Sequence, residues 1–126
     1  MGTRSMIGMV EADNSVSAIY CHWDGYLSHN GKLLDENYDS DVKVAELLAL
    51  GDLSTLGATT EQPSTELLGH STAARRFESV AAFREALGRN GDEFRYLWDG
   101  DEWYHISHTQ PHWDPVKVAL KDRQSA

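Results

Sequence analysis

The sequence predicts an α+β fold in which helices pack on an antiparallel sheet of about four strands, formed by two hairpins. Two observations predict the strands: β-type runs flank Asp13-Asn14 and again Asp99-Gly100, and both dipeptides favour tight turns. A third observation predicts the helices, since segments with a helical apolar period follow good capping residues. At 126 residues, the chain fits a single domain spanning 1–126.

The first predicted hairpin joins strands over 5–12 and 15–23. Its second strand has apolar side chains on both faces, with Val16 and Ala18 on one face and Ile19 and Cys21 on the other. Such a pattern is typical of a strand inside a sheet that is covered on both sides. We therefore expect this strand to be central.

Helices are predicted over about 28–38 and over 41–50, the second capped by Asp39 or Ser40. Residues 57–76 are small, polar and aperiodic, which predicts a long surface loop. A third helix is expected between its N-cap Ser79 and Gly88.

The second hairpin pairs 93–98 with 102–108 and places Trp98 and Trp103 on the same face. Asp114-Pro115 is typical of the start of a helix, because proline is well tolerated at the first helical position. A short final helix is therefore expected.

Charge and composition exclude several classes of function. Lys and Arg number 11 and Asp and Glu 20, so the formal net charge is −9, which argues against direct binding to nucleic acid or to an anionic membrane. No apolar run approaches the roughly 20 residues of a membrane span. The single cysteine, Cys21, allows no intrachain disulfide. We expect a cytoplasmic protein.

The richest cluster of polar and aromatic residues follows the second predicted strand, where ligands often bind in layered folds. The predicted binding site combines a guanidinium for anion contact, hydrogen-bonding side chains and aromatic rings for stacking. Its members are Arg4, His22, Trp23, Asp24, Tyr26, Asn30 and Trp98.

Three segments, 3–8, 20–26 with Asn30-Gly31, and 50–57, carry a resemblance to known proteins. They contain the motifs T-R-S-x-I and Y-C-H-W-D-G-Y…N-G. In these motifs the chain resembles a group of small proteins from tailed phages and bacterial mobile elements, with a weaker similarity in 98–104. The resemblance implies a phage accessory protein in the cytosol of a host cell and supplies no mechanism.

The sequence favours a protein that acts by binding. We expect it to inhibit or evade a host defence factor, either by occupying a host protein or by sequestering a nucleotide-like small molecule. One alternative is a small hydrolase using His22 and Asp24 on a nucleotide-like substrate. A second alternative is a structural homo-oligomer, such as a homodimer, formed through an exposed apolar face of Phe94, Trp98 and Trp103.

Catalysis has less support than binding, since no nucleophile motif or phosphate-binding loop is present. No cofactor and no metal are predicted, because the spacing of His105, His108 and His112 matches no standard zinc pattern. The acidic residues leave one further hypothesis open. Those at the two hairpin ends and in 35–41 could form a face that mimics phosphates and is steered to a basic protein target.

Overall fold

The computed structural model describes residues 3–61, 64–69 and 72–125. Its strands are β1 (Ser5–Val10), β2 (Val16–Cys21), β3 (Leu53–Thr55), β4 (Glu66–Leu67), β5 (Arg75–Phe77), β6 (Phe94–Trp98), β7 (Trp103–Ser107) and β8 (Asp114–Pro115). Its helices are α1 (Lys32–Asn37), α2 (Asp41–Ala49), α3 (Val80–Glu85) and α4 (Val116–Ser125), and a π-helical turn (Leu27–Gly31) precedes α1.

The strands form one mixed sheet in the order β4-β3-β2-β1-β6-β7-β8, and β5 also pairs with β2. Both predicted hairpins are present, as the antiparallel pairs β1–β2 and β6–β7. However, β1 lies parallel to β6, and β2 lies parallel to β3. The predicted antiparallel sheet of about four strands is therefore wrong, because the sheet has eight strands and contains both orientations.

The prediction failed for two physical reasons. The hairpins meet through β1 and β6, and the alternation of side chains within a strand does not specify which neighbour it takes or in which direction. The added strands β3, β4, β5 and β8 contain two or three residues each, too few to show a period. One of them, β4, and the first two residues of β5 lie inside 57–76, so that segment is not a loop throughout.

The prediction of a central β2 is confirmed. One side of β2 pairs with β1 and the other with β3 and β5. On one face, Ile19 and Cys21 belong to the larger core cluster, which includes buried residues of α1 and α2. On the opposite face, Val16 and Ala18 pack in a second cluster with Phe83 of α3.

The helix caps agree with the sequence, and some boundaries differ. Ser40 Oγ accepts from Lys43 N at 3.3 Å at the start of α2, and Ser79 Oγ accepts from Ala82 N at 3.0 Å at the start of α3. The predicted helix over 28–38 is divided into the π-helical turn and α1. Asp114-Pro115 pairs with β7 before α4 begins, and so forms a short strand where a helix start was predicted.

Candidate functional site

The loop that follows β2 is fixed by hydrogen bonds to three other segments. Its backbone N–H groups donate to neighbouring carbonyl oxygens: His22 to Leu53 at 3.0 Å, Trp23 to Ser54 at 3.0 Å and Gly25 to Thr3 at 2.7 Å. The hydroxyl of buried Tyr96 donates to the Gly25 carbonyl at 2.6 Å. These contacts hold the backbone of the loop against the end of the sheet.

Asp24 and Gly25 make this close approach possible. Asp24 has φ 57°, a left-handed conformation that aspartate adopts more readily than most residues. A Cβ on Gly25 would lie 2.8 Å from the Thr3 carbonyl oxygen, so only glycine fits there without displacing the backbone. The Asp24 carbonyl accepts from Asn30 N at 3.2 Å, which ties the loop to the π-helical turn.

Four ring side chains of this region, His22, Trp23, Tyr26 and His29, define what we call the aromatic surface. Trp23 is 43% exposed and Tyr26 is 37% exposed. The edge of the His22 ring meets Trp23 with centroids 4.8 Å apart, and His22 Nδ1 lies 2.9 Å from the Tyr20 hydroxyl. The rings of Tyr26 and His29 are 6.0 Å apart. The surface therefore presents large apolar rings beside imidazoles that can exchange hydrogen bonds.

Asn30, predicted to bind a ligand, is fully buried and supports the loop from inside. Its Nδ2 lies 3.3 Å from Ser5 Oγ and 3.4 Å from the Trp23 carbonyl oxygen. Its Oδ1 lies 2.9 Å from His29 Nδ1, so that nitrogen carries the hydrogen and donates it. Asn30 therefore supports the aromatic surface from the interior, and its side chain does not line that surface.

Trp98, the predicted stacking residue, lies in the core. It is 2% exposed, and its Nε1 donates to Asp41 Oδ1 at 2.7 Å. Its ring packs on that of Trp103, which is 1% exposed. Trp98 therefore belongs to the interior and not to the binding surface. The oligomer face predicted from Phe94, Trp98 and Trp103 has no exposed tryptophan, because Trp98 and Trp103 are both buried.

Arg4 borders the loop through its backbone, while its side chain extends towards residues 88–92. The Arg4 carbonyl accepts from Glu93 N at 2.8 Å. A Cβ on Gly91 would lie 2.8 Å from Arg4 Nη1, which places the guanidinium against the turn that contains Gly91. The structure thus brings together His22, Trp23 and Tyr26 in the loop, with Asp24 shaping its backbone, whereas the Arg4 side chain lies at Gly91.

A second polar site, missed by the sequence analysis, lies on the face of the sheet that carries α3. Here Arg75 Nη1 and Nη2 donate to the two carboxylate oxygens of Asp52 at 3.0 and 2.8 Å. Tyr20 N also donates to Asp52 Oδ1 at 2.9 Å. No sequence signal identifies this pair, because 22 residues separate Asp52 from Arg75 and the short strands β3 and β5 bring them together.

Cys21, between the two sites, is buried, and burial raises the pKa of its thiol to about 11. A thiol of this kind is protonated at neutral pH and is a poor nucleophile.

The acidic residues of two separate segments meet at the other end of the sheet. The hydrogen bond from Trp98 to Asp41 joins the β6–β7 turn to the start of α2, and Lys117 Nζ contacts Asp35 Oδ1 at 2.8 Å nearby. Burial raises the pKa of Tyr104, and the charges of Asp99 and Glu102 raise it further. We call this region the acidic edge and define it by Asp35, Asp39, Asp41, Asp99, Asp101 and Glu102.

The three histidines considered for zinc do not converge. His105 is buried in the sheet, the His108 ring packs at Gly88, and His112 Nε2 lies 3.5 Å from Asp114 Oδ1. Across 3–61, 64–69 and 72–125, no three His, Cys, Asp or Glu residues are grouped to hold a metal ion.

None of the helices in the described part of the chain is both long enough and apolar enough to span a membrane. In comparisons with known proteins, no family model, curated protein or solved structure matches the chain. The resemblance to phage and mobile-element proteins therefore stays a prediction.

Proposed function

We propose that this protein acts by binding a protein partner through the aromatic surface. The observation that carries the proposal is the exposure of Trp23 and Tyr26, the only aromatic side chains among the large exposed hydrophobic residues in the described part of the chain. Tryptophan and tyrosine are enriched among the residues that contribute most to protein–protein binding. An indole left 43% exposed on a fixed loop offers apolar area that a partner can bury.

The fixed backbone of the loop supports this proposal. A partner that docks on an ordered loop does not have to order it first, so less free energy is lost on binding. Asn30 has the same effect, because this buried amide hydrogen-bonds the Trp23 carbonyl and the His29 ring. The aromatic surface is therefore prepared for contact before the partner arrives.

The phage context proposed from the sequence fits this mode of action. We infer that the partner is a host protein, a defence factor in the simplest case, which is blocked by occupancy. Sequestration of a small molecule beneath Trp23 has less support, because the Trp23 indole is 43% exposed on the surface. The hydrolase alternative also has less support, since His22 Nδ1 contacts the Tyr20 hydroxyl.

Native mass spectrometry of affinity-purified protein tests the proposal. The tagged wild-type chain and a Trp23→Ala/Tyr26→Ala variant are purified gently from the cells in which the protein naturally occurs. Val42→Ala/Val118→Ala is the matched control, because it removes exposed apolar side chains from α2 and α4 instead. We expect one protein to bind the wild type and the control stoichiometrically and to be lost from the aromatic variant.

Two results would contradict the proposal. One is a stoichiometric protein that still binds the aromatic variant, which would move the interface elsewhere. The other is the absence of any bound protein with the wild type, with or without a bound small molecule. Circular dichroism of both variants confirms that each remains folded.

A further inference from the structure

The Asp52–Arg75 pair lies in an open cleft of about 280 Å³, separate from the aromatic surface. We call it the Tyr20 cleft, and its lining residues are Tyr20, Asp52, Leu68, Thr72, Arg75 and Asn90. Ligand pockets usually have volumes of about 300–1,000 Å³. The cleft is slightly smaller than that range and fits a ligand no larger than a mononucleotide.

Arg75 is held rigidly in this cleft and is still accessible. Its side chain is 35% exposed, whereas that of its partner Asp52 is only 4% exposed. A guanidinium has five N–H groups. The two-point contact with Asp52 uses one N–H on each terminal nitrogen and leaves others able to bind an oxyanion. Asp52 therefore positions Arg75, in the way that a supporting carboxylate orients a binding group.

Other polar groups surround the same space. The exposed Asn90 lines the cleft, and its neighbour Gly91 lies against the Arg4 guanidinium. The Tyr20 hydroxyl, which contacts His22 Nδ1, adds a further hydrogen-bonding group. Burial raises the pKa of Tyr20, and the positive charge of Arg4 opposes that rise, which agrees with Arg4 lying close by.

The distribution of charge makes this site unusual in a chain with a net charge of −9. Arg75 lines the cleft, and the Arg4 guanidinium lies against Gly91, next to the lining residue Asn90. Among the lining residues in the described part of the chain, only Asp52 is acidic. The planar guanidinium matches the oxygens of a phosphate group and binds them with two parallel hydrogen bonds. A carboxylate ligand would accept hydrogen bonds from the same donors. It carries less negative charge than a phosphate group, however, so it would interact less favourably with the second arginine.

From this arrangement we propose that the Tyr20 cleft binds a small phosphate monoester, with Arg75 and Arg4 contacting the phosphate and Asn90 donating from its amide. This proposal does not rest on the proposed protein partner. The two regions are linked through the contact between Tyr20 and His22, whose ring meets Trp23.

Titration with phenyl phosphate, followed in ¹H–¹⁵N NMR spectra, tests the proposal. We expect saturable binding, with shifts centred on the backbone amides of Tyr20 and Asn90 and on the Arg75 Nε–H. Benzyl alcohol is the uncharged probe and should cause no such shifts. Sodium sulfate reports whether any tetrahedral anion binds equally well, and equal affinity would overturn assignment to a phosphate ester.

Three substitutions test the residues. Arg4→Ala and Asn90→Asp alter exposed side chains, and each should weaken binding about tenfold, as expected for loss of a charge-assisted contact or addition of a repulsive one. Arg75→Lys keeps the charge and loses the two-point geometry, so it should weaken binding at least as much. Should Arg75→Lys fail to fold, the other two variants still decide.

Arg76→Ala is the matched control, because Arg76 is next to Arg75 on β5 and its exposed side chain contacts Asp13 instead. It should bind phenyl phosphate like the wild type. Equal loss in Arg76→Ala and Arg4→Ala would show a general effect of net charge and would overturn the proposal. So would the absence of saturation up to about 10 mM phenyl phosphate.

Discussion

The fully buried ion pair of Asp92 and Arg95 supports the strongest stability prediction. Both side chains are 0% exposed, and Arg95 Nε donates to Asp92 Oδ2 at 2.7 Å. The same guanidinium donates to the carbonyl oxygens of Phe83 at 2.9 Å and Ala86 at 2.8 Å, and it lies 4.9 Å from the Phe83 ring centroid. Asp92 also accepts from Gly88 N at 3.2 Å. One ion pair thus connects the end of α3, the 88–92 turn and β6.

We predict that Asp92→Asn lowers the free energy of unfolding by about 3–5 kcal/mol, because it leaves a buried guanidinium without its counter-charge. Arg95→Met should cost a similar amount, since it leaves the Asp92 carboxylate and two helix carbonyls short of donors. The double variant removes both charges. The free energy of unfolding should therefore fall less in the double variant than the sum of the falls in the two single variants, by about 2 kcal/mol or more.

Urea unfolding, followed by tryptophan fluorescence and by far-UV circular dichroism, measures all three variants. Arg76→Met is the control, because Arg76 and its partner Asp13 each have side chains that are 61% exposed, and it should unfold like the wild type. The reasoning would be refuted by an Asp92→Asn cost below about 1 kcal/mol. Strict additivity of the two single costs would also refute it, since it would mean that the charges do not interact.

Three other predictions concern single positions. Trp103→Ala should lower the free energy of unfolding in urea by about 3–5 kcal/mol. Trp23→Ala should lower it clearly less, because its indole is partly exposed. Equal losses would place Trp23 in the core. Burial raises the pKa of the Cys21 thiol from 9.0 to about 11. Cys21 of the native protein should therefore react with iodoacetamide at pH 8 about a hundredfold more slowly than Cys21 of the unfolded protein. Equal rates would contradict its burial. Hydrogen bonds from Ser15, and then Arg76, lower the pKa of Asp13 from 3.8 to about 2, so its stabilising effect should be present above about pH 4 and disappear as pH falls through 2. Acid titration of Asp13→Asn should show a smaller loss of stability across that interval, and an identical pH profile would contradict the shift.

The length of each element decided whether the sequence predicted it. β2 has six residues with apolar side chains on alternating faces, and its central position was predicted correctly. Ser79 was correctly predicted as a helix cap, and Ser40 is one of the two caps predicted for α2, because capping depends on residues a few positions apart. The strands β3 and β5 pair with the side of β2 that β1 does not occupy, and no local pattern specifies that pairing.

The candidate site shows the same limit at the level of side chains. The sequence singled out the segment of Trp23 and Tyr26, both of which are exposed in the structure, because its density of rings and polar groups is a local property. It could not show that the Asn30 amide points inward, or that Trp98 and Trp103 are both buried. The Asp52–Arg75 pair was beyond reach, because only the completed sheet brings the two residues together.

The sheet places the aromatic surface and the acidic edge at opposite ends of the same strands. β1 begins beside the loop at Arg4, and its parallel neighbour β6 ends at Trp98, which contacts Asp41 of the acidic edge. Across the six residues of β1, the two ends are about 17 Å apart. A basic partner broad enough to cover this distance would contact both regions, and its affinity would fall as salt screens the acidic edge. A partner confined to the aromatic surface would bind with little dependence on salt. The salt dependence of the captured complex therefore distinguishes a phosphate-mimicking inhibitor from one that docks through its aromatic rings alone.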